Sequence, residues 1–124
     1  MSTEKNFGSA SGFNFPELLA RVENDREILQ ELVSIFKKEF PAQLQDLRDA
    51  IVHQDTARVA NLSHALKGML TNLAVTGAAN GAFTIEKLAR QGDKASLGNA
   101  FAEFERQVRG LLPEMEACLT EVRP

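Results

Sequence analysis

The sequence predicts an all-α protein that folds as one antiparallel helical bundle. Its apolar residues are mainly Leu, Ala, Val and Phe, a composition that favours helices over strands. These residues recur at three- and four-residue spacing from residue 13 onward, and no strand-like alternation competes with that period. A chain of 124 residues, 44% of them hydrophobic, is long enough to bury one modest core.

The N-terminal region begins without helical periodicity and then becomes helical. Residues 1–12 are rich in Ser and Gly, so we expect them to be a flexible leader, with residues 13–124 forming the domain. A short helix follows, with Pro16 at a permitted first-turn position. Asn24 or Asp25 can cap the next helix.

Long helices are predicted for the middle of the chain. The helix that starts near residue 25 extends to about residue 53, and Pro41 is expected to kink or locally break it. Asp55 is the expected N-cap of a helix over about 56–73. Gly77 opens another helical segment, which ends at the Gly-Asp pair at positions 92–93.

The C-terminal segment is predicted to be a single helix from Lys94 to Leu119, with Pro113 as a candidate kink. Cys118 occupies an apolar position of this helix and is expected to be a small core residue. One thiol cannot form an internal disulfide, and one cysteine with two histidines makes a dedicated metal site improbable.

Charge and hydropathy exclude several classes of function. The formal net charge of −3 argues against a nucleic-acid-binding protein. No apolar run approaches the roughly 18 residues that span a membrane, and the N-terminus lacks the apolar core of a signal peptide. We therefore expect a cytoplasmic monomer with no nucleic-acid or membrane partner. The initial methionine and short polar leader favour a stand-alone protein over a module of a larger kinase.

The segment LSHALKGMLTNL, residues 62–73, carries one of the two histidines of the chain. A helix advances about 100° per residue, so the apolar residues of this helix fall within about 60° of one direction, the predicted core face. They are Val59, Leu62, Leu66, Met69, Leu70 and Leu73. His64 lies about 160° from Leu66, with Lys67 and Gly68 within about 60° of it. A candidate docking face completes this exposed side, and it consists of Ala57, Asn61 and Thr71.

The three polar or small residues at 64, 67 and 68 fit a phosphorylatable site. A histidine side chain is mostly neutral near pH 7, and a neutral imidazole is a competent nucleophile. Lys67 supplies a mobile cation that suits a phosphoryl group on His64. Gly68 costs about 1 kcal/mol relative to alanine inside a helix. Two explanations for it stay open, an unobstructed approach to the imidazole and close packing against another helix.

The sequence resembles the histidine-containing phosphotransfer (HPt) domain of two-component phosphorelays. His64-Ala65-Leu66-Lys67-Gly68 matches the family motif H-x-L-K-G. The upstream family pattern is matched by Phe36, Pro41, Leu44, Leu47, Ala50 and Asp55. The downstream pattern is matched by Ile85-Glu86, Ala89-Arg90 and Gly92-Asp93. The resemblance covers nearly all of the chain from Phe13 onward.

The resemblance implies a four-helix bundle with an additional short N-terminal helix. It further implies that His64 carries a phosphoryl group on Nε2, exchanged with aspartates of response-regulator receiver domains and originating from a hybrid sensor kinase. Lys67 would neutralise the phosphoryl group, Gly68 would give the receiver access, and Glu86 would orient the imidazole. The protein would then be a carrier without a cofactor of its own and not an enzyme, with Mg²⁺ supplied by the receiver domain.

The chain departs from the family pattern after the motif. Family members often have small residues directly after the glycine and a second glycine six positions beyond it. Met69, Leu70 and Ala74 stand at those places here. The advance of about 100° per residue places Met69 and Leu70 on the predicted core face of this helix. They should therefore alter the packing of the core more than the chemistry of His64. Ala74 indicates a different helix end, with Gly77 taking over the role of the second glycine.

Other interpretations of the same residues remain. A helical module could dock signalling partners through this face without any phosphorylation. A metal-binding bundle needs inward-facing ligand pairs such as Glu-x-x-His, which the chain lacks. Glu86 could equally be a solvated helix charge. His53 falls near a helix C-terminus, where a histidine commonly interacts with the terminal carbonyl groups.

Overall fold

The structure is a computed structural model that describes residues 10–121, and this part of the chain is built from six α-helices. They are α1 (Phe15–Arg21), α2 (Arg26–Val52), α3 (Thr56–Asn72), α4 (Thr76–Arg90), α5 (Lys94–Val108) and α6 (Leu111–Glu121). Extended pairing among these residues is limited to one isolated bridge between Phe13 and Val75. The predicted all-α class is confirmed.

Side-chain caps explain where four of the helices begin. The side chains of Asn14, Asp25, Asp55 and Asp93 each accept a hydrogen bond from a backbone N–H in the first turn of the following helix. Such a bond satisfies one of the amide groups that have no partner within the helix. Asp25, and not Asn24, is therefore the cap of α2, and Asp55 caps α3 as predicted.

Short connections join α2, α3, α4 and α5 into an antiparallel four-helix bundle, with α3 and α4 in the most extensive contact. Each helix contributes one apolar face to a single core. Its largest fully buried side chains are Leu18, Leu29, Leu47, Val59, Leu66, Leu70, Val75, Ile85, Leu97, Phe104, Leu111 and Met115. The short helix α1 adds Leu18 to this core, in agreement with the expected additional N-terminal helix.

The C-terminal helix predicted as one element is two helices. α5 ends at Val108 and α6 begins at Leu111, so the prediction of a single kinked helix over 94–119 is wrong. Pro113 has no N–H, and its ring would clash with the carbonyl group four residues earlier in a continuous helix. That carbonyl belongs to Arg109, where the break occurs.

α5 and α6 nevertheless both pack along the same helix, α2. Lys37 of α2 pairs with Glu116 of α6, and Arg48 of α2 pairs with Glu105 of α5. The two pairing residues of α2 are 11 residues apart, and so are their two partners in the C-terminal helices. α5 and α6 therefore cover successive halves of the long helix.

α2 runs unbroken through Pro41, so the predicted local break does not occur. The buried side chains of Phe36, Phe40 and Leu47 lie on both sides of the proline and are part of the same core. Their burial holds the helix together across the hydrogen bond that a proline cannot donate.

Ser11 and Gly12, the last residues of the predicted leader, contact the start of α4. Ser11 is 3% exposed, its carbonyl accepts from the N–H of Ala78, and the Gly12 carbonyl accepts from the N–H of Thr76. A Cβ added to Gly77 would lie 2.7 Å from the Ser11 oxygen, so this glycine permits the close approach. The rest of the predicted leader, residues 1–9, and residues 122–124 lie outside the described part.

The turn between α3 and α4 corrects the expected role of Gly77. Ala74 itself adopts the left-handed conformation, with φ of 61°, a region that favours glycine. Gly77 therefore does not replace the second glycine of the family pattern. Arg21 of α1 binds the C-terminus of α3, where its Nη1 donates hydrogen bonds to the carbonyl groups of Thr71 and Asn72.

Candidate functional site

Helix α3 separates a buried face from an exposed one, as the wheel predicts. Val59, Leu66 and Leu70 are at most 1% exposed, whereas the side chain of His64 is 62% exposed. The whole predicted docking face, Ala57, Asn61 and Thr71, is also exposed. Gly68 is exposed beside it, and a Cβ added there would meet no atom within 4 Å. Close helix packing is therefore wrong as an explanation of Gly68.

The imidazole of His64 is held by a carboxylate from the neighbouring helix. Nδ1 of His64 lies 3.1 Å from Oε2 and 3.3 Å from Oε1 of Glu86, which projects from α4. An ionised carboxylate can only accept hydrogen bonds, so Nδ1 carries the proton and donates it. In the neutral ring Nε2 then keeps its lone pair, on a side chain that is 62% exposed.

Glu86 is a buried carboxylate and not the solvated helix charge that its position alone permitted. Its side chain is 7% exposed, and Nε and Nη2 of Arg90 donate to its Oε2 at 3.1 and 2.9 Å. Burial by itself raises the pKa of Glu86, but hydrogen bonds from Arg90 and His64 and the charges of His64 and Lys67 outweigh it and lower the pKa below its usual value. The carboxylate is thereby kept ionised.

Lys67 lies beside this carboxylate and is partly exposed. Its Nζ lies 3.7 Å from Oε1 of Glu86, and its side chain is 31% exposed. The same ammonium group lies 4.6 Å from the centre of the Phe83 ring on α4. Because the lysine side chain is long and flexible, its ammonium group can reach an anion bound to His64, which is one turn earlier on the same helix.

Two residues of this site, Arg90 and Phe83, were not predicted to be site residues; Arg90 entered only as part of the downstream family pattern. Arg90 follows Glu86 by four residues, a spacing at which opposite charges meet on a helix. That signal could have suggested the pair. Phe83 offered no comparable signal, because an aromatic residue in an amphipathic helix is ordinarily assigned to the core.

The second histidine lies in a different setting. His53 is the C-cap residue of α2, and its Nδ1 lies 2.8 Å from the carbonyl oxygen of Asp49. This contact with a terminal carbonyl confirms the predicted interaction. No group of three or more His, Cys, Asp or Glu side chains among residues 10–121 could hold a metal ion.

This helical bundle thus presents an exposed imidazole, held at Nδ1 by a buried carboxylate, beside an ammonium group. Residues 31–123 match the family model of the Hpt domain, which covers well over half of the chain. The chain therefore belongs to the Hpt domain family, whose members are phosphoryl carriers in two-component signalling and interact with receiver domains and kinases.

The other comparisons add no relatives to this result. A search of curated proteins and a search of solved structures each find no match. Within residues 10–121, no helix combines the length and the apolar character needed to cross a bilayer.

Proposed function

We propose that His64 is the phosphorylated residue of this Hpt domain and relays a phosphoryl group between receiver-domain aspartates. The observation that carries this proposal is the contact of His64 Nδ1 with the buried carboxylate of Glu86, which leaves Nε2 as an exposed nucleophile. Lys67 and Gly68 support it, the first as a nearby cation and the second as an open approach.

The transfer step follows from these groups. The lone pair of His64 Nε2 attacks the phosphorus of the acyl phosphate on the receiver, an N–P bond forms and the P–O bond to the aspartate breaks. The aspartate leaves with the bonding pair as a carboxylate, and the imidazole ring gains a positive charge. Glu86 offsets that charge through the Nδ1–H bond, so no proton has to leave the ring. The reverse step returns the phosphoryl group to another receiver.

The receiver domain supplies the remaining chemistry in this proposal. Transfer from an acyl phosphate requires neutralisation of the phosphoryl oxygens, for which the receiver brings Mg²⁺ and Lys67 adds a cation. We propose that receiver domains contact the docking face of Ala57, Asn61 and Thr71, that a hybrid sensor kinase is the source of the phosphoryl group, and that the protein acts as a monomer in the cytoplasm without a cofactor of its own.

The test uses the two histidines as a matched pair. A receiver domain carrying labelled phosphate is incubated with Mg²⁺ and with the wild-type protein, His64→Gln or His53→Gln. We expect an acid-labile, base-stable label on the wild-type protein and on His53→Gln, and none on His64→Gln. Label on His64→Gln, or equal loss in both variants, would contradict the assignment.

The same variants distinguish a carrier from a docking module. A module that only docks its partners would retain both receiver binding and pathway output in His64→Gln. We expect His64→Gln to bind the receiver with wild-type affinity, measured by titration calorimetry, while the pathway output is lost.

A further inference from the structure

Phe83 is an aromatic side chain on the outside of the bundle. The buried residues of α4 are alanines, Ile85 and Glu86, whereas Phe83 is 40% exposed. It precedes Glu86 by three residues and Lys87 by four, so it lies on the edge of α4 that also carries the Glu86–Arg90 pair. Core packing does not account for a ring in this position.

Two ammonium groups lie against this ring. Nζ of Lys67, which comes from α3, is 4.6 Å from the ring centre, and Nζ of Lys87, from α4 itself, is 4.8 Å away. A cation within about 6 Å of an aromatic ring centre is attracted by the negative face of the ring. Phe83 belongs to α4 and its ring contacts Lys67 of α3, so this contact connects the two helices.

The carboxylate alone holds Lys67 weakly. Its Oε1 is 3.7 Å from the lysine, beyond ordinary hydrogen-bond distance, and Glu86 is already engaged by Arg90 and His64. A lysine has a long flexible stem and loses considerable rotamer entropy when it is ordered. Contact with Phe83 restricts the rotamers of Lys67 and leaves its ammonium group charged. A cation that lies over an aromatic ring can still bind an anion.

We propose that Phe83 is a positioning residue, which holds the ammonium group of Lys67 beside His64 and leaves it free to bind an incoming phosphoryl group. This inference rests on the proposed function of His64. When the phosphoryl group arrives, Lys67 exchanges its distant contact with Glu86 for the phosphoryl oxygens and keeps its contact with the ring. Lys87 occupies the same ring from α4 and is not needed for this positioning.

The first test measures the position of Lys67 without any phosphorylation. Aromatic ring currents shift nearby protons, so the ε-methylene protons of Lys67 should be shifted upfield in the NMR spectrum of the wild-type protein. We expect Phe83→Leu to abolish this shift, and Phe83→Tyr and Lys87→Ala to retain it. Unshifted protons in the wild-type protein would overturn the inference, whatever the outcome of phosphotransfer.

The second test is a double-mutant cycle on transfer from a phosphorylated receiver with Mg²⁺. We expect Phe83→Leu to lower the transfer rate at saturating receiver by about two- to fivefold, without changing the receiver concentration that gives half the maximal rate. Phe83→Tyr should keep the wild-type rate. In the Lys67→Ala background, Phe83→Leu should cause no further loss. Circular dichroism should show wild-type helix content in each variant.

The outcomes separate this inference from the proposed function. Two results would show that the ring contacts the receiver directly and would overturn the positioning role. One is that Phe83→Leu lowers the transfer rate as much in the Lys67→Ala background as in the wild-type protein. The other is that Phe83→Leu changes only the receiver concentration that gives half the maximal rate. Failure of the wild-type protein to accept phosphate would instead contradict the function of His64, and the NMR result would still decide the position of Lys67.

Discussion

The two histidines of this protein lie at the end of α2 and within α3 of the same bundle, and they differ in what surrounds them. Both place Nδ1 against an oxygen, for His53 a carbonyl of its own helix and for His64 a buried carboxylate of the neighbouring helix. Only His64 also has a cation, Lys67, and an open glycine, Gly68, on the same side. An exposed imidazole is therefore not enough to make a candidate phosphorylation site.

The carboxylate is the most informative difference. A carbonyl oxygen fixes the imidazole tautomer but brings no full charge, whereas Glu86 fixes the tautomer and can also balance the positive charge that phosphorylation creates. Arg90 keeps Glu86 ionised and oriented from behind. The site thus extends over two helices, while the contact of His53 stays within one.

Removal of Lys67 should have the largest effect on the His64 site short of removing the histidine. We expect Lys67→Ala to slow transfer from a phosphorylated receiver by about 10- to 100-fold, less than for a fully buried donor because this side chain is partly solvated. Stopped-flow or rapid-quench measurement of label transfer checks this. Lys94→Ala, at the first residue of α5, is the control, and an equal loss in both variants would remove the distinction.

Neutralisation of Glu86 should make the His64 contact resemble that of His53. We expect Glu86→Gln, which keeps an accepting oxygen for Nδ1, to slow transfer by about tenfold and to lower the free energy of unfolding by about 1–2 kcal/mol near pH 7. Urea unfolding and label transfer give the two values. Unchanged transfer would mean that the negative charge of Glu86 is irrelevant and that the tautomer alone matters.

The stability difference should also depend on pH. Because the pKa of Glu86 is lowered in the folded protein, its ionised form stabilises the fold above the ordinary value of 4.5 expected in the unfolded chain. This contribution is lost as the pH falls through the lower folded pKa. The difference between wild type and Glu86→Gln should therefore shrink as the pH falls below 4.5, and a difference that grows there would contradict the sign of the shift.

Substitution of Gly68 should change stability and transfer in opposite directions. The position is helical and open, so we expect Gly68→Ala to raise the free energy of unfolding by about 1 kcal/mol. The added methyl group should slow transfer by a few-fold because it narrows the approach to His64. Thermal unfolding and label transfer test both signs, and faster or unchanged transfer would refute the access role.

Replacement of His53 should have the smallest effect. We expect His53→Gln to lower the free energy of unfolding by at most about 0.5 kcal/mol, through the lost contact at the C-terminus of α2, and to leave transfer unchanged. Urea unfolding measures the first and label transfer the second. Slower transfer in this variant would mean that the two histidines are coupled, which their separate surroundings do not predict.

Sequence periodicity predicted the helices and the faces of α3 well. The 100° advance per residue places His64 opposite Leu66 wherever the helix packs, because a helix that buries its leucines must expose the other side. Errors occurred where a local preference competed with tertiary contacts. Core side chains on both sides of Pro41 keep α2 continuous, and the backbone of Gly77 lies against Ser11, which the sequence showed only as part of a polar leader.

Apolar periodicity along the chain predicts the class of fold, and motifs from Phe36 to Asp93 carry the family pattern. Spacing along α3 alone predicts that His64 and Gly68 are exposed, with the partly exposed Lys67 on the same side. The tertiary structure adds the burial of Glu86 against His64, its ion pair with Arg90 and the contact of Lys67 with the Phe83 ring. These contacts depend on the relative rotation and offset of α3 and α4, which packing across the whole core sets and local periodicity does not encode.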